Sequence, residues 1–354
     1  MPSLKIIASG RIDESDSAFP QAVQLANGDL LCSYSVGGGQ YVRGGTDWSR
    51  STDGGLTWRR EGQLLAGSEN PPSANALKLS LSADGKIVYA YGTRYWANQQ
   101  DRFGERQGES VFCKSLDQGR TWSSPQSVPM PDCPIEVSHS IRPLTSGRLL
   151  APGALLAEKE RLGEEVFVAT SDDGGVTWPS RSTVFRDPAG KLGFWEQKFI
   201  EVSPRTVLAT AWTVTLGDYQ DQTNSFCLSH DDGLTWGPYR STGLRGQTMS
   251  TLPLGGDRLL VLYNRRYGQQ GVVMTLVTFT ETEWTVVHEG GLMYDAQGVR
   301  SRPEAGATGV DELASFQFGF PTAIALRDGT CLATHWCVEN GVCGIRWTKI
   351  AVEW

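Results

Sequence analysis

Nowhere in the 354-residue sequence do apolar residues recur at helical spacing over a useful length, and no apolar run is long enough to span a bilayer. Helical bundles, helical solenoids and membrane-spanning helices are excluded on that ground. The opening residues, Met1 to Gly10, carry a short apolar stretch but neither the long hydrophobic segment nor the cleavage context of a secretion signal, so a cytoplasmic location is expected. Surplus positive charge is also missing. The chain has 32 Lys and Arg against 39 Asp and Glu, a formal net charge of -7, which argues against nucleic acid or an anionic membrane as partner and leaves a neutral or polar ligand as the easier one. No C-x-x-C and no His/Cys cluster has metal-ligand spacing, so neither a zinc site nor another cofactor is expected. The seven cysteines, an odd number, fit reduced thiols. Cys337 and Cys343 are placed to face each other across a hairpin, and two buried free thiols is the preferred reading of that pair.

What the sequence has instead is glycine (41), tryptophan (12) and a repeat. Ser51 to Trp58, Ser115 to Trp122, Ser171 to Trp178 and Ser229 to Trp236 all read S-x-D-x-G-x-T-W. The Trp-to-Trp intervals are 64, 56 and 58 residues, too long for a helical repeat and suited to a four-stranded sheet with its loops. Each octet reads as a turn. The Asp accepts hydrogen bonds from nearby backbone N–H groups, the Gly supplies a positive φ, and Thr-Trp starts the next strand with a large apolar anchor. A second pattern counts the units independently. Two apolar strands meet at a reversal six times, around Gly28, Gly85, Gly147, Pro204, Gly256 and Gly329. Six hairpins predict six sheets, with a degenerate fifth turn before Glu283-Trp284. The sixth sheet comes up one strand short, and Leu4 to Ala8 are expected to supply it by pairing alongside Ile345 to Val352, removing the open edges of a ring.

The four octets match the Asp-box, or bacterial neuraminidase repeat, so the chain resembles the sialidase superfamily along nearly its whole length. The resemblance implies an all-β fold: one six-bladed β-propeller domain over residues 1–354, built of four-stranded antiparallel blades. It also implies that Asp53, Asp117, Asp173 and Asp231 build turns on the face opposite the active site, and that the substrate lies in the other mouth.

With that blade order the mouth collects carboxylates, guanidinium groups and aromatic rings from every blade, which is what a sugar site needs. Among them are Asp13, Asp16, Arg43, Asn75, Tyr95, Asp101, Arg102, Glu136, Arg142, Trp195, Asp218, Tyr219, Asp221, Asn264, Tyr267, Gln317 and Glu339. The candidates for proton transfer are Glu196 and Asp47. Glu196 follows Phe194-Trp195 at the start of a blade-four strand, where burial beside aromatics raises a carboxyl pKa; a rim residue paired to an Arg is the alternative. Asp47 follows the Gly37-Gly38-Gly39 loop, either close to a ligand or capping a mobile lid. Arg94, Trp96, His139, Trp212, Gln247, Arg265, Arg266, His335 and Trp336 are the candidates for substrate binding. Strand alternation sends only one of Arg265 and Arg266 inward, the two histidines have a structural reading beside the functional one, and core packing is the safer reading of any single Trp.

The likeness fails at the carboxylate clamp. Where the family has Phe-Arg-Ile-Pro this chain has Ser17-Ala18-Phe19-Pro20, and Trp212 and Gln247 take the other two Arg positions, with no convincing Tyr at the family's nucleophile position. Without those bidentate cationic contacts, sialic acid specificity is not expected to carry over. The leading reading is a sialidase-like glycoside hydrolase on an unspecified sugar. A non-catalytic carbohydrate-binding propeller and a sugar lyase are the alternatives, and fold does not decide among them.

Overall fold

The computed structural model describes residues 1–96, 108–296 and 315–354. It is a ring of six antiparallel sheets with strand order running outward from the axis. Blade one is Ala18–Gln24, Leu30–Ser35, Thr46–Ser51 and Arg59–Leu65; blade four is Leu192–Ser203, Thr206–Thr215, Thr223–Ser229 and Arg240–Arg245; blade five is Gln247–Pro253, Arg258–Arg265, Gly271–Phe279 and Trp284–Asp295. Blade two begins with Pro72–Leu81 and Val88–Trp96 and carries a fifth short strand, Ser68–Glu69, beside its innermost one. The six apolar hairpins predicted from sequence are the turns between first and second strands. Apolar side chains of facing sheets fill the space between blades, as in the cluster of Leu208, Phe226, Val261 and Val277 between blades four and five. Asp101 and Arg102 lie outside the described residues.

The ring closes as the shortened sixth unit required. Blade six has Phe318–Ala325, Cys331–Glu339 and Val342–Glu353 from the C-terminal end and Ser3–Asp13 as its outermost strand. Leu4 pairs with Val352 and Ile6 with Ile350, and the pairing runs beyond the predicted segment to Asp13 opposite Ile345. Cys337 lies opposite Gly344 and Val338 opposite Cys343, so the two cysteines are one register step apart, and both are buried free thiols.

Each octet closes in the same way. In the third, Asp173 accepts from the Val176 and Thr177 amides at 2.9 Å and from the Thr177 hydroxyl at 2.6 Å, while the Ser171 hydroxyl bridges Asp173 and the Gly175 amide. These bonds favour the carboxylate and hold Asp53, Asp117 and Asp173 below the ordinary range, Asp53 at about 2. The octets share a face with the first hairpins: Arg148, beside the Gly147 turn, binds Asp172 of its own blade and reaches the Asp232 carbonyl of the next. Side chains at the start of the inner strands therefore open on the opposite face.

Candidate functional site

Four of the six innermost strands carry the same irregularity near their mouth-side end. Opposite the second strand, the register slips by one residue between Ala18 and Gln21, Trp195 and Lys198, Gln247 and Met249, and Gly319 and Thr322. The extra residue is left-handed each time: Phe19 (φ 57), Glu196 (φ 47), Thr248 (φ 49) and Phe320 (φ 51). A bulge re-aims one side chain and breaks the ladder, and a left-handed non-glycine residue is uncommon and costly, so four in equivalent positions mark where strands are bent for a purpose.

Blade three solves the same problem by interruption. Its innermost strand pairs at Ile135–Glu136 and again at Arg142–Pro143, and residues 137–141 leave the ladder between them. Two lysines from the neighbouring blades hold this segment. Lys78 donates to the Val137 carbonyl at 2.8 Å and to the Ala76 carbonyl at 3.2 Å, and Lys198 donates to the Ser138 carbonyl. Between them Glu136 accepts from the Ser138 hydroxyl and, through both oxygens, from the backbone N–H of Glu196 at 3.0 and 3.2 Å. The left-handed turn at Glu196 thus does two things: it breaks the ladder, and it points its own amide at a second carboxylate.

The aromatic bulge residues cover the lysines. Lys198 Nζ lies 3.6 Å from the centre of the Phe320 ring, Lys78 Nζ lies 5.6 Å from Phe320 and 5.8 Å from Phe19, and the two rings meet edge to face at 5.3 Å. Phe19 stays partly exposed while Phe320 is buried. Lys198 and Glu136 are only 2% and 6% exposed, so the charges interact in a medium that screens them weakly. Burial, then the charge of Glu196, pushes the Glu136 carboxyl up to about 8 against the opposing pull of the Glu196 amide and the two lysines. Burial also raises Glu196, held back by Lys198, Arg266 and Lys78. The same burial lowers Lys198 and brings Lys78 down to about 8. Glu196 keeps partial exposure, and its carboxyl has no hydrogen-bond partner among the described residues.

Blades four and five supply a second wall. Asp221 accepts from the Trp212 indole N–H at 2.8 Å and from the Gln247 amide nitrogen at 3.2 Å; the Gln247 oxygen accepts from Arg266, whose Nη1 donates to the Phe318 carbonyl at 2.6 Å. The Arg266 guanidinium lies 3.6 Å over the Phe316 ring. Trp212 packs edge to face on Trp195 at 4.9 Å, immediately before Glu196.

Of the residues chosen from sequence, Glu196, Trp212, Gln247 and Arg266 come together in this way, and Glu136, Trp195 and Asp221 join them. Alternation buries Arg266 and leaves Arg265 at the rim, donating to the Gln269 carbonyl at 2.8 Å. Trp336 packs on Phe19 at 6.4 Å, and His139 belongs to the clamped segment and packs near Phe199. His139 is held well below its ordinary pKa by burial, then by Lys198, Arg142 and Lys78, and is neutral. Asp47 sits on the third strand of blade one, ion-paired to Arg60 on the fourth. Arg94 binds Glu109 and covers the Trp96 ring at 4.8 Å. His335 packs tilted against Tyr294 at 4.7 Å, between blades five and six, and burial and Arg346 bring it down to about 3. Lys78, Lys198, Phe19 and Phe320 were not selected. A signal for them exists: a charge inside Ala76-Leu77-Lys78-Leu79, and the dipeptide Phe-Pro nine residues before both Gly28 and Gly329.

Six antiparallel blades closed by the terminal strands, with repeated turns on one face and a cluster of charged and aromatic side chains at the other, make this chain a six-bladed β-propeller. The chain is a member of the BNR repeat-like domain family, whose model matches residues 48–331. Among solved structures, a protein of unknown function from Dyadobacter fermentans is similar with a TM-score of 0.76 and 21% identity over 100% of both chains. The Penicillium chrysogenum alpha-L-arabinanase complexed with arabinobiose gives 0.66 and 13% over 98% of both. The Trypanosoma rangeli sialidase in complex with the inhibitor DANA gives 0.62 and 14%, covering 96% of this chain and 55% of that one. At these identities the likeness is one of fold. No curated protein matches the chain significantly.

Proposed function

We propose that this propeller hydrolyses a glycosidic bond in its mouth, with Glu196 and Glu136 as the working carboxyl pair. The observation that carries the reading is the pair itself: Glu136 lies against the Glu196 amide, and each carboxyl is raised by burial. Burial and the charge of Glu196 disfavour ionisation of Glu136, and burial raises Glu196 in turn, so the two do not both ionise cheaply. Glu196, partly exposed and without a bonding partner, is the member that delivers the proton to a leaving oxygen. Glu136, held by the Ser138 hydroxyl and accepting from the Glu196 amide, fixes the turn that aims Glu196. Lys78 and Lys198 fix the segment bearing Glu136, and Phe19 offers the flat apolar surface on which a sugar ring packs. A sugar ligand agrees with the arabinanase and sialidase neighbours, whose structures hold a sugar or an inhibitor.

The test is turnover on a panel of 4-nitrophenyl glycosides with the parent and Glu196→Gln. The variant keeps size and hydrogen bonding and loses the transferable proton, so it is expected to fold normally and bind the sugar while losing about 10²–10⁴-fold in rate. Undiminished turnover overturns the assignment. If no glycoside is cleaved and sugar affinity is the same in both proteins, the propeller is a binding module instead.

A further inference from the structure

The wall formed by Asp221, Gln247 and Arg266 has a fixed polarity. Arginine only donates and an aspartate only accepts. Gln247 lies between them and is forced to turn its oxygen to Arg266 and its nitrogen to Asp221. The second oxygen of Asp221 takes the Trp212 indole N–H. Donors contributed by two blades therefore converge on a carboxylate that belongs to the protein. Trp212 and Gln247 are buried, and Arg266 donates to Gln247 and to the Phe318 carbonyl. Asp221 itself is partly exposed at the end of a short bridge to Val214. At the rim, Arg265 donates to the Gln269 carbonyl and Arg245 lies over the Tyr267 ring at 5.1 Å.

We propose that Asp221 is a specificity residue, an internal carboxylate that occupies the donor set a ligand carboxylate would need, so that this wall of the mouth takes a sugar unit bearing no acid group. The proposal rests on the reading of the mouth as a sugar site and adds the class of sugar. A ligand carboxylate arriving here meets a like charge and finds the Trp212 and Gln247 donors already engaged, whereas hydroxyl groups can both donate to Asp221 and accept from the rim.

The inference is tested without any turnover. Thermal melting of the parent, Asp221→Ala and Asp221→Asn is followed with sodium acetate, sodium D-glucuronate and, at equal ionic strength, sodium chloride. Removing the side chain leaves the indole and amide donors facing an empty space the size of a carboxylate. Asp221→Ala is therefore expected to melt lower than the parent and to be restored by acetate, which has no stereochemistry to satisfy. Asp221→Ala is expected to bind D-glucuronate at least about tenfold more tightly than the parent, the effect of replacing a like charge by available donors, and Asp221→Asn, which removes the charge alone, more tightly than the parent by a smaller factor. The parent is expected to respond to neither anion beyond chloride. A parent stabilised by glucuronate overturns the proposal, and so does a variant that gains no response to either anion. Asp221→Asn preserves size and reads the glucuronate arm should the Ala variant not fold. Hydrolysis by Glu196 stands or falls separately, on the turnover of Glu196→Gln.

Discussion

Glu136 is the residue whose ionisation this fold accommodates least well, and replacing it by Gln gives a prediction whose sign changes with pH. Its carboxyl is raised from the ordinary 4.5 to about 8. A group raised in the folded state contributes its full stability below 4.5 and loses it progressively as pH climbs through 8, each pH unit in that window costing the fold about 1.4 kcal/mol. At pH 7 the parent therefore carries a penalty on the order of 3 kcal/mol that Gln does not. Against this, Gln has one acceptor oxygen where Glu136 uses two, for the Ser138 hydroxyl and the Glu196 amide, a loss of about 1 kcal/mol. Glu136→Gln is thus expected to be slightly destabilising at pH 4.5, more stable than the parent by about 2 kcal/mol at pH 7, and further ahead at pH 8. Urea denaturation of both proteins at the three pH values measures it. Lys78 and Lys198 titrate in a neighbouring range, but they are present in both proteins and largely cancel in the difference. A variant less stable than the parent at every pH, with the deficit growing toward pH 8, refutes the reasoning and means that the two lysines hold Glu136 ionised.

Deleting residues 1–9 removes the outermost strand from Ser3 opposite Glu353 to Ser9 opposite Thr348 and exposes the edge of Val342–Glu353, so the melting temperature is expected to fall sharply with concentration-dependent aggregation. An unchanged melting temperature would count against ring closure by that strand. Gly163→Ala attacks the site from behind: Gly163 has φ +76, and a Cβ there would lie 2.2 Å from Trp195 Cδ1. The substitution is expected to cost about 2–4 kcal/mol in urea denaturation and to lower turnover by displacing the bulge that carries Glu196; an unaltered midpoint contradicts it.

The fold was legible because its signals are local. An Asp-box needs only eight consecutive residues, and six hairpins count six blades whatever the loops between them do. Closure followed by subtraction, from a sixth sheet with three strands. The site was legible only in part. Glu196 stands out in sequence as a charge beside two aromatics, but the register slip that aims it does not, because alternation assumes a period of two and a bulge is the place where that period breaks. Asp47 stands out in sequence only by the glycine-rich loop before it, and strand order decides its surroundings: on a third strand it is ion-paired to Arg60 of the fourth. A lysine in a strand ordinarily reads as solvent-facing, and the carbonyls of Val137 and Ser138 that Lys78 and Lys198 hold come from a break in the inner strand of blade three that no local pattern announces.

The four left-handed positions of the inner strands amount to one backbone address occupied in four ways, by Phe19, Glu196, Thr248 and Phe320. The main chain makes the address, and the occupant decides whether that blade carries a carboxyl, an aromatic ring or a hydroxyl there. The Asp-box turns lie on the other face, so a change of occupant leaves them untouched, while Phe320 belongs to a buried core as well as to the mouth. In a propeller organised like this, one backbone position carries a different side chain on each blade while the turns on the far face keep the same form.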